Sequence, residues 1–397
     1  MAATISQSEK SDSAFTIFKI FFSLGWVSFG GPAAHIGYFR SMFVEKRQWL
    51  ADDNYAQIVA LSQFLPGPGS SQVGFAIGYQ RGGLIGGLMA FVGFTLPSVL
   101  MMLLLAVASS QLMDASYFQH AIHGLKLLAV VVVADATWGM YKNFCKQNLS
   151  VFVCITTAVA LLLFPSISTQ ILVLLLAALL GMKWLPGKTS PSTLPMTLSV
   201  RPLLLFVALL FGLPLLASMA PVIQIFSDFY QAGSLVFGGG HVVLPLLQNI
   251  VGDQLSQDAF LTGYAAAQAV PGPMFTFATY LGYQLLPQAP IVGALVATLA
   301  VFLPGFLLLV GVLNNWRSLA QRAGVAGALN GVNASVVGLL IAALYQPVFV
   351  SAIFNAVDIS LVLLGVTLMK QFKLPIVAMV IFFVGAGLFS PFLANLI

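Results

Sequence analysis

The chain has 397 residues, 59% of them hydrophobic and 7% charged, with a mean hydropathy of +0.98. Soluble domains carry about a quarter charged residues, so a soluble globular fold is excluded; the lack of short alternating strands excludes an outer-membrane barrel as well. The net charge of +5 is no sign of a nucleic-acid partner, because the basic residues are placed as membrane topology would place them.

Residues 1–13 are polar and lack the order of a signal peptide, so the first apolar segment is expected to stay in the mature protein. That segment is interrupted by F-G-G-P at Phe29–Pro32, and the next by P-G-P at Pro66–Pro68. Single crossings are predicted at about 83–109, 117–140, 149–164, 169–185, 202–220, 290–313, 324–346, 350–369 and 374–395, each near the ~20 residues a spanning helix needs. Between the fifth and sixth of these the interrupted pattern returns, with F-G-G-G at Phe237–Gly240 and P-G-P at Pro271–Pro273. A glutamine precedes each P-G-P (Gln63, Gln268), and a histidine follows each F-G-G (His35, His241). Leu96-Pro97 matches Leu303-Pro304, and A-I-H-G at Ala121–Gly124 matches A-L-N-G at Ala328–Gly331. The offsets stay between 204 and 208 residues, which marks an internal duplication.

Lys142, Lys146, Lys183, Lys188, Arg201, Arg317, Arg322, Lys370 and Lys373 all fall in loops that the positive-inside bias assigns to the cytoplasm. If the segments within 14–80 are re-entrant hairpins turning at F-G-G-P and P-G-P, then Arg40, Lys46, Arg47 and Arg81 return to the cytoplasm too. Straight, kinked crossings would leave the first three outside. The expected fold is thus an all-α polytopic membrane protein. It comprises a first repeat (14–185), a linker plus one extra helix (186–220), and a second repeat (221–397) of inverted topology. Its N-terminus is expected inside and its C-terminus outside, with hairpin tips from both sides converging at the midplane, as in secondary transporters.

Proline suits a first helical turn and glycine lets backbone approach a ligand, so each P-G-P offers free N–H groups at the positive end of a helix dipole. The candidate substrate contacts are Gly30, Gly31, Gly67, Gly69, Ser70, Ser71 and Gln72 in the first half. Gly238, Gly239, Gly272 and Thr276 are their counterparts in the second. Such a cage of neutral donors suits an oxyanion, whose charge it meets without burying many cations in lipid; the plainer reading is that Gly and Pro serve close packing and kinks. His35 and His241 are candidate anion contacts just beyond the F-G-G turns, against the ordinary outcome of a satisfied neutral ring. Lys126, the lone lysine well inside a predicted helix, is read as an anion contact, with His123 one turn away on the same face. Asp135 is the candidate proton-coupling residue; an ion pair with Lys142 at the cytoplasmic helix end is its structural alternative. Asp358 reads as a helix N-terminal charge. Cys145 and Cys154 read as inert apolar residues, and the spacing of His and acidic residues fits no catalytic, nucleotide or metal motif. No cofactor is expected.

At F-G-G-P-A-A-H-I-G, Q-F-L-P-G-P-G-S-S-Q-V-G and A-A-Q-A-V-P-G-P-M-F-T-F-A-T-Y-L-G the chain resembles a long, two-repeat member of the chromate transporter family, over residues 15–395. The resemblance implies a carrier in a bacterial or archaeal cytoplasmic membrane that expels chromate, driven by the proton motive force, and confers resistance. Sulfate import or exchange and a channel-like anion pore are the alternatives; a homodimer is compatible with either. The second half departs from the motif at Gly240, where proline stands in the first, and carries Asn330 in place of His123.

Overall fold

The computed structural model describes residues 12–29, 31–112, 115–185, 199–237, 242–313 and 323–394, and among these it is helical throughout, with no strand. Gly30, Gly238, Gly239, Gly240 and His241 therefore lie outside the described residues, as do Asp114, Lys188, Arg317 and Arg322.

The first half opens with two broken helix pairs. Helices α1 (Ala14–Val27) and α2 (Gly31–Phe39, continued by a π-helical turn, Arg40–Lys46) flank the F-G-G-P break. They run back along each other, for Phe21 meets Phe39 and Phe43 with ring centroids 5.7 and 4.8 Å apart. Helix α3 (Asp52–Phe64) ends at the P-G-P break, and α4 (Gly69–Leu112) begins after it. Non-helical angles at Gly82 and Gly83 split α4 into a short arm, 69–81, and a long span, 84–112. The bases of both pairs meet: Arg81 pairs with Asp12 at 2.8 Å and lies 5.3 Å over the ring of Trp49, which packs on Phe43 at 4.9 Å. A chain that leaves and returns to one place in this way is a hairpin, not a kinked span. The 13 residues of α3 reach only ~20 Å, short of the ~30 Å hydrocarbon core.

Helices α5 (Ser116–Phe144), α6 (Asn148–Leu163), α7 (Ile167–Trp184) and α8 (Val200–Leu216) follow. The second half repeats the plan with α9 (Pro221–Leu235), α10 (Val243–Val251), α11 (Gln257–Ala269) and α12 (Phe277–Leu285). Phe260 and Tyr264 of α11 pack on Phe277 at 5.1 and 5.8 Å, so this pair also folds back on itself. Then come α13 (Pro290–Val312), α14 (Ala323–Ala343), α15 (Ala356–Lys370) and α16 (Ile376–Ala394). Five helical stretches, 69–111, 116–144, 200–219, 290–312 and 324–352, are long and apolar enough to cross a membrane. Leu104, Phe211, Leu215, Ile381 and Phe389 are among the large apolar side chains left exposed, as a lipid-facing surface requires.

Small residues set the packing, as in membrane bundles generally. In each half the first helix lies against the long span at a matched glycine: a Cβ on Gly25 would sit 2.7 Å from the Phe94 carbonyl, and one on Gly233 2.2 Å from that of Val301. The halves are also interlocked. Gly124 of α5 lies against Phe383 and Gly387 of α16, while Gly331 of α14 lies against Ala177 and Gly181 of α7. Each half's central helix thus rests on the last helix of the other.

Candidate functional site

Each P-G-P tip is bonded to backbone of the opposite half. Gly67 takes φ +115° and Gly272 φ +97°, angles that a glycine adopts without strain. The N–H of Gly67 donates to the carbonyl of Val236 at 2.7 Å, and that of Gly272 donates to the carbonyl of Ser28 at 2.8 Å. Ser28 and Val236 each stand just before the F-G-G sequence of their half. Each glycine also abuts the residue after the Leu-Pro pair of the opposite long span. A Cβ on Gly67 would lie 2.9 Å from the Cα of Gly305, and one on Gly272 2.8 Å from the hydroxyl of Ser98.

Around the first tip the polar groups form a connected network. His35 is fully buried; its Nε2 donates to the Ser28 carbonyl at 3.0 Å, and Nδ1 lies 3.1 Å from Ser70 Oγ. A carbonyl can only accept, so Nε2 carries the hydrogen, and in the neutral ring Nδ1 accepts the Ser70 proton. The ring stands edge-on to Phe94 at 5.2 Å. His35 thus ties the F-G-G turn to the P-G-P tip, which is the satisfied-histidine outcome. Gln72 donates through Nε2 to the carbonyls of Pro66, at 2.9 Å, and Gly305, at 3.1 Å. Thr276 bends its hydroxyl onto the Pro273 carbonyl at 2.8 Å, capping its own turn. Gly69 starts α4 beside the Ser62 carbonyl, and Gly31 takes φ +77° at the head of α2.

Four polar atoms in or next to this network are buried without a partner: Ser28 Oγ, Ser71 Oγ, Gln72 Oε1 and Thr95 Oγ1. Thr95 sits beside Phe94, and its carbonyl accepts from Ser98 at 2.9 Å. Buried polar atoms in folded proteins are rarely orphaned, and each one calls for a ligand or water. Ser71 and Gln72 were candidates in the sequence. Ser28 and Thr95 were not, because most serines and threonines in membrane helices satisfy themselves on the preceding turn, as Thr137 does on the Val133 carbonyl at 2.7 Å.

The remaining candidates lie apart from the tips, in ion pairs across the bundle. Lys126 of α5 pairs with Asp258 in the first turn of α11. One turn earlier His123 Nε2 lies 2.7 Å from Asp358, whose carboxylate also accepts the Phe354 N–H at 2.9 Å. Asp358 sits in the first turn of α15, where the Asn355 side chain caps its N–H. Asp135 pairs with Lys370 at the end of α15 instead of with Lys142. The chain seven residues on along α5 is less accessible to it than a lysine brought in by a neighbouring helix. Cys145 and Cys154 are free and buried.

An elongated cavity of about 350 Å³ opens between α6, α10, α14 and the start of α11, with Gln248, Asn249, Asp253, Gln257 and Gln346 as its polar lining.

The sequence profile of the family described as "Chromate transporter" matches residues 15–182 and again residues 223–389, once for each half. Among curated proteins, an uncharacterized transporter of Methanocaldococcus jannaschii is 28% identical over 351 residues, 85% of each chain. A chromate transport protein of Cupriavidus metallidurans is 28% identical over 361 residues, 89% of this chain and 87% of its own. A probable chromate transport protein of Synechococcus elongatus is 27% identical over 326 residues, 81% of each. No solved structure matches the chain significantly.

Proposed function

The chain belongs to the chromate transporter family, and from that premise we propose that it carries chromate out of the cell as a secondary active transporter, conferring resistance. The observation that carries the reading is the orphaned polar set at the first tip, Ser28, Ser71, Gln72 and Thr95. Buried hydroxyls without a protein partner are the donors a tetrahedral oxyanion takes up. Gln72 Oε1 accepts from a bound water or from the hydroxyl of a singly protonated anion. The helix N-terminus at Gly69 adds its dipole.

The repeats 14–185 and 221–397 are read as inverted about the extra span α8, with the N-terminus inside and the C-terminus outside. On that reading the hairpin bases differ in charge content. The first-half hairpins hold Arg40, Lys46, Arg47 and Arg81 balanced by Asp12, Glu45, Asp52 and Asp53, whereas residues 221–289 contain Asp228, Asp253 and Asp258 and no lysine or arginine. Arg40 itself is exposed and held by Asp52 and Glu45 at 2.8 and 2.6 Å, with its pKa raised chiefly by the Asp52 hydrogen bond. An acidic outer mouth repels the return of dianions. The membrane potential acts in the same direction, at about 2.3 kcal/mol per charge per 100 mV, hence about 4.6 kcal/mol for a dianion leaving a negative interior. On this reading the proton motive force drives export, with Asp135 as the proton-coupling acid, and the same assay tests it.

The test is uptake of labelled chromate into inside-out vesicles containing the protein, with a protonophore, with a clamped potential, and with sulfate as competitor. Accumulation that collapses with the potential or the proton gradient supports driven export. Equilibration without accumulation supports a pore, and strong sulfate inhibition widens the substrate to tetrahedral dianions.

A further inference from the structure

Lys126 has an environment that the tips do not explain. Its side chain is 9% exposed, whereas that of its partner Asp258 is 43% exposed. Its neighbours along α5, Leu127, Leu128 and Val130, are buried as well, and an ammonium buried in such surroundings is costly without an anion beside it. The carboxylate is under no such constraint, because it can swing back into water at little cost. The pair is therefore unequal: the lysine needs an anion, but not this one.

Three further observations converge on the same place. The amide-lined cavity reaches Gln257, the neighbour of Asp258 in sequence, and Gln248 Oε1 in its wall has no partner. Helix α11, which carries Asp258 in its first turn, ends at the second P-G-P tip, so one short helix joins the pair to that tip. The pair also has no twin. The positions matching Lys126 and Asp258 in the other halves are Asn333 and Asp53; Asn333 is neutral with an unpartnered Oδ1, and Asp53 is exposed.

Resting on the transport reading above, we propose that Lys126 is a second anion station between the tips and the amide-lined cavity, and that Asp258 is its resident competitor. The Asp258 carboxylate fills the station in the unloaded carrier, yields it to the substrate, and on returning pushes the substrate toward the cavity. The His123–Asp358 pair lies one turn away on α5; it stays intact and keeps α5 in register while the station changes occupant.

The experiment is equilibrium binding of chromate, and separately of sulfate, to the full-length protein in nanodiscs. It compares wild type, Asp258→Asn, Lys126→Gln and the double variant, with melting curves for each. Asp258→Asn is expected to tighten binding roughly five- to tenfold, the range of a partly exposed ion pair, and to lower both KM and kcat in vesicles because release loses its displacing group. Lys126→Gln is expected to weaken binding, and in its background Asp258→Asn should change nothing. The double variant buries no lone charge and keeps the comparison meaningful if Asp258→Asn alone folds poorly. Wild-type binding that Asp258→Asn leaves unchanged or weakens, or tightening that persists without Lys126, overturns the competitor role and leaves the transport reading standing. If no variant binds either anion, the transport reading falls and this inference with it.

Discussion

The N–H of Gly67 lies 2.7 Å from the carbonyl oxygen of Val236, in the other half of the chain. Gly272 and Ser28 repeat the relationship in reverse at 2.8 Å. These two bonds are why the breaks cannot be read as local kinks: each is completed by backbone more than a hundred residues away.

Gly67→Ala and Gly272→Ala should both damage the fold. The positive φ alone costs a non-glycine residue about 1–2 kcal/mol, and the added methyl collides with Gly305 or Ser98. A lowered melting temperature in nanodiscs, with transport lost in proportion to folded protein, is the expected result. An alanine variant that melts like wild type would show that the tips do not need this geometry.

Removing the orphaned hydroxyls should act the other way. Ser71→Ala, Ser28→Ala and Thr95→Val take away buried polar atoms that have no protein partner, so stability should hold or rise slightly. Affinity for chromate should fall, each substitution costing about 0.5–1.5 kcal/mol, or roughly two- to tenfold in KM. A drop in stability with unchanged KM would mark the hydroxyls as structural.

His35→Ala should behave unlike these. It strips partners from the Ser28 carbonyl and Ser70 and leaves a hole against Phe94, for a loss of about 2–4 kcal/mol. Binding per folded molecule should change less than the melting temperature. A variant with native stability and no binding would return His35 to the list of direct contacts.

Much of this architecture could be read from residues, for identifiable reasons. Of the nine expected crossings, those at 83–109, 117–140, 202–220, 290–313 and 324–346 fall on helices long and apolar enough to span a membrane, and the other four fall on shorter described stretches. Charge grouped Arg40, Lys46 and Arg47 with Arg81, and the structure closes that base through Asp12, Trp49 and Phe43. The partners were not legible. Lys126 signalled its need for an anion, but only the interlocking of the halves brings Asp258 of α11 to it and Asp358 of α15 to His123. Asp135 went to Lys370 for the same reason. Ser28 and Thr95 were hidden by the habit of their residue types, since an unsatisfied hydroxyl has the same letter as a satisfied one.

Asp358→Ala should be among the most harmful single changes outside the tips. The carboxylate is 1% exposed and serves both His123 and the Phe354 N–H, and breaking such a buried pair costs about 3–5 kcal/mol. Asp358→Asn, which keeps one acceptor oxygen, should recover part of that loss in the same melting assay.

Topology can be checked with single cysteines in a background lacking Cys145 and Cys154, both of which are buried. Asn54 and Gln254 are exposed at the bases of the first and second hairpin groups. A membrane-impermeant reagent should reach Gln254→Cys in intact cells and Asn54→Cys only in inside-out vesicles. Labelling of both from one side would contradict the inverted arrangement.

The crossed bonds at the tips also bear on what the membrane stands to lose. On the transport reading, a state open to both sides would part Gly67 from Val236 and Gly272 from Ser28 at once, baring two carbonyls and two N–H groups that would need new partners. A protein stitched in this manner can sit in an energised membrane in many copies without short-circuiting it, because the state that would leak is the one its own backbone opposes most.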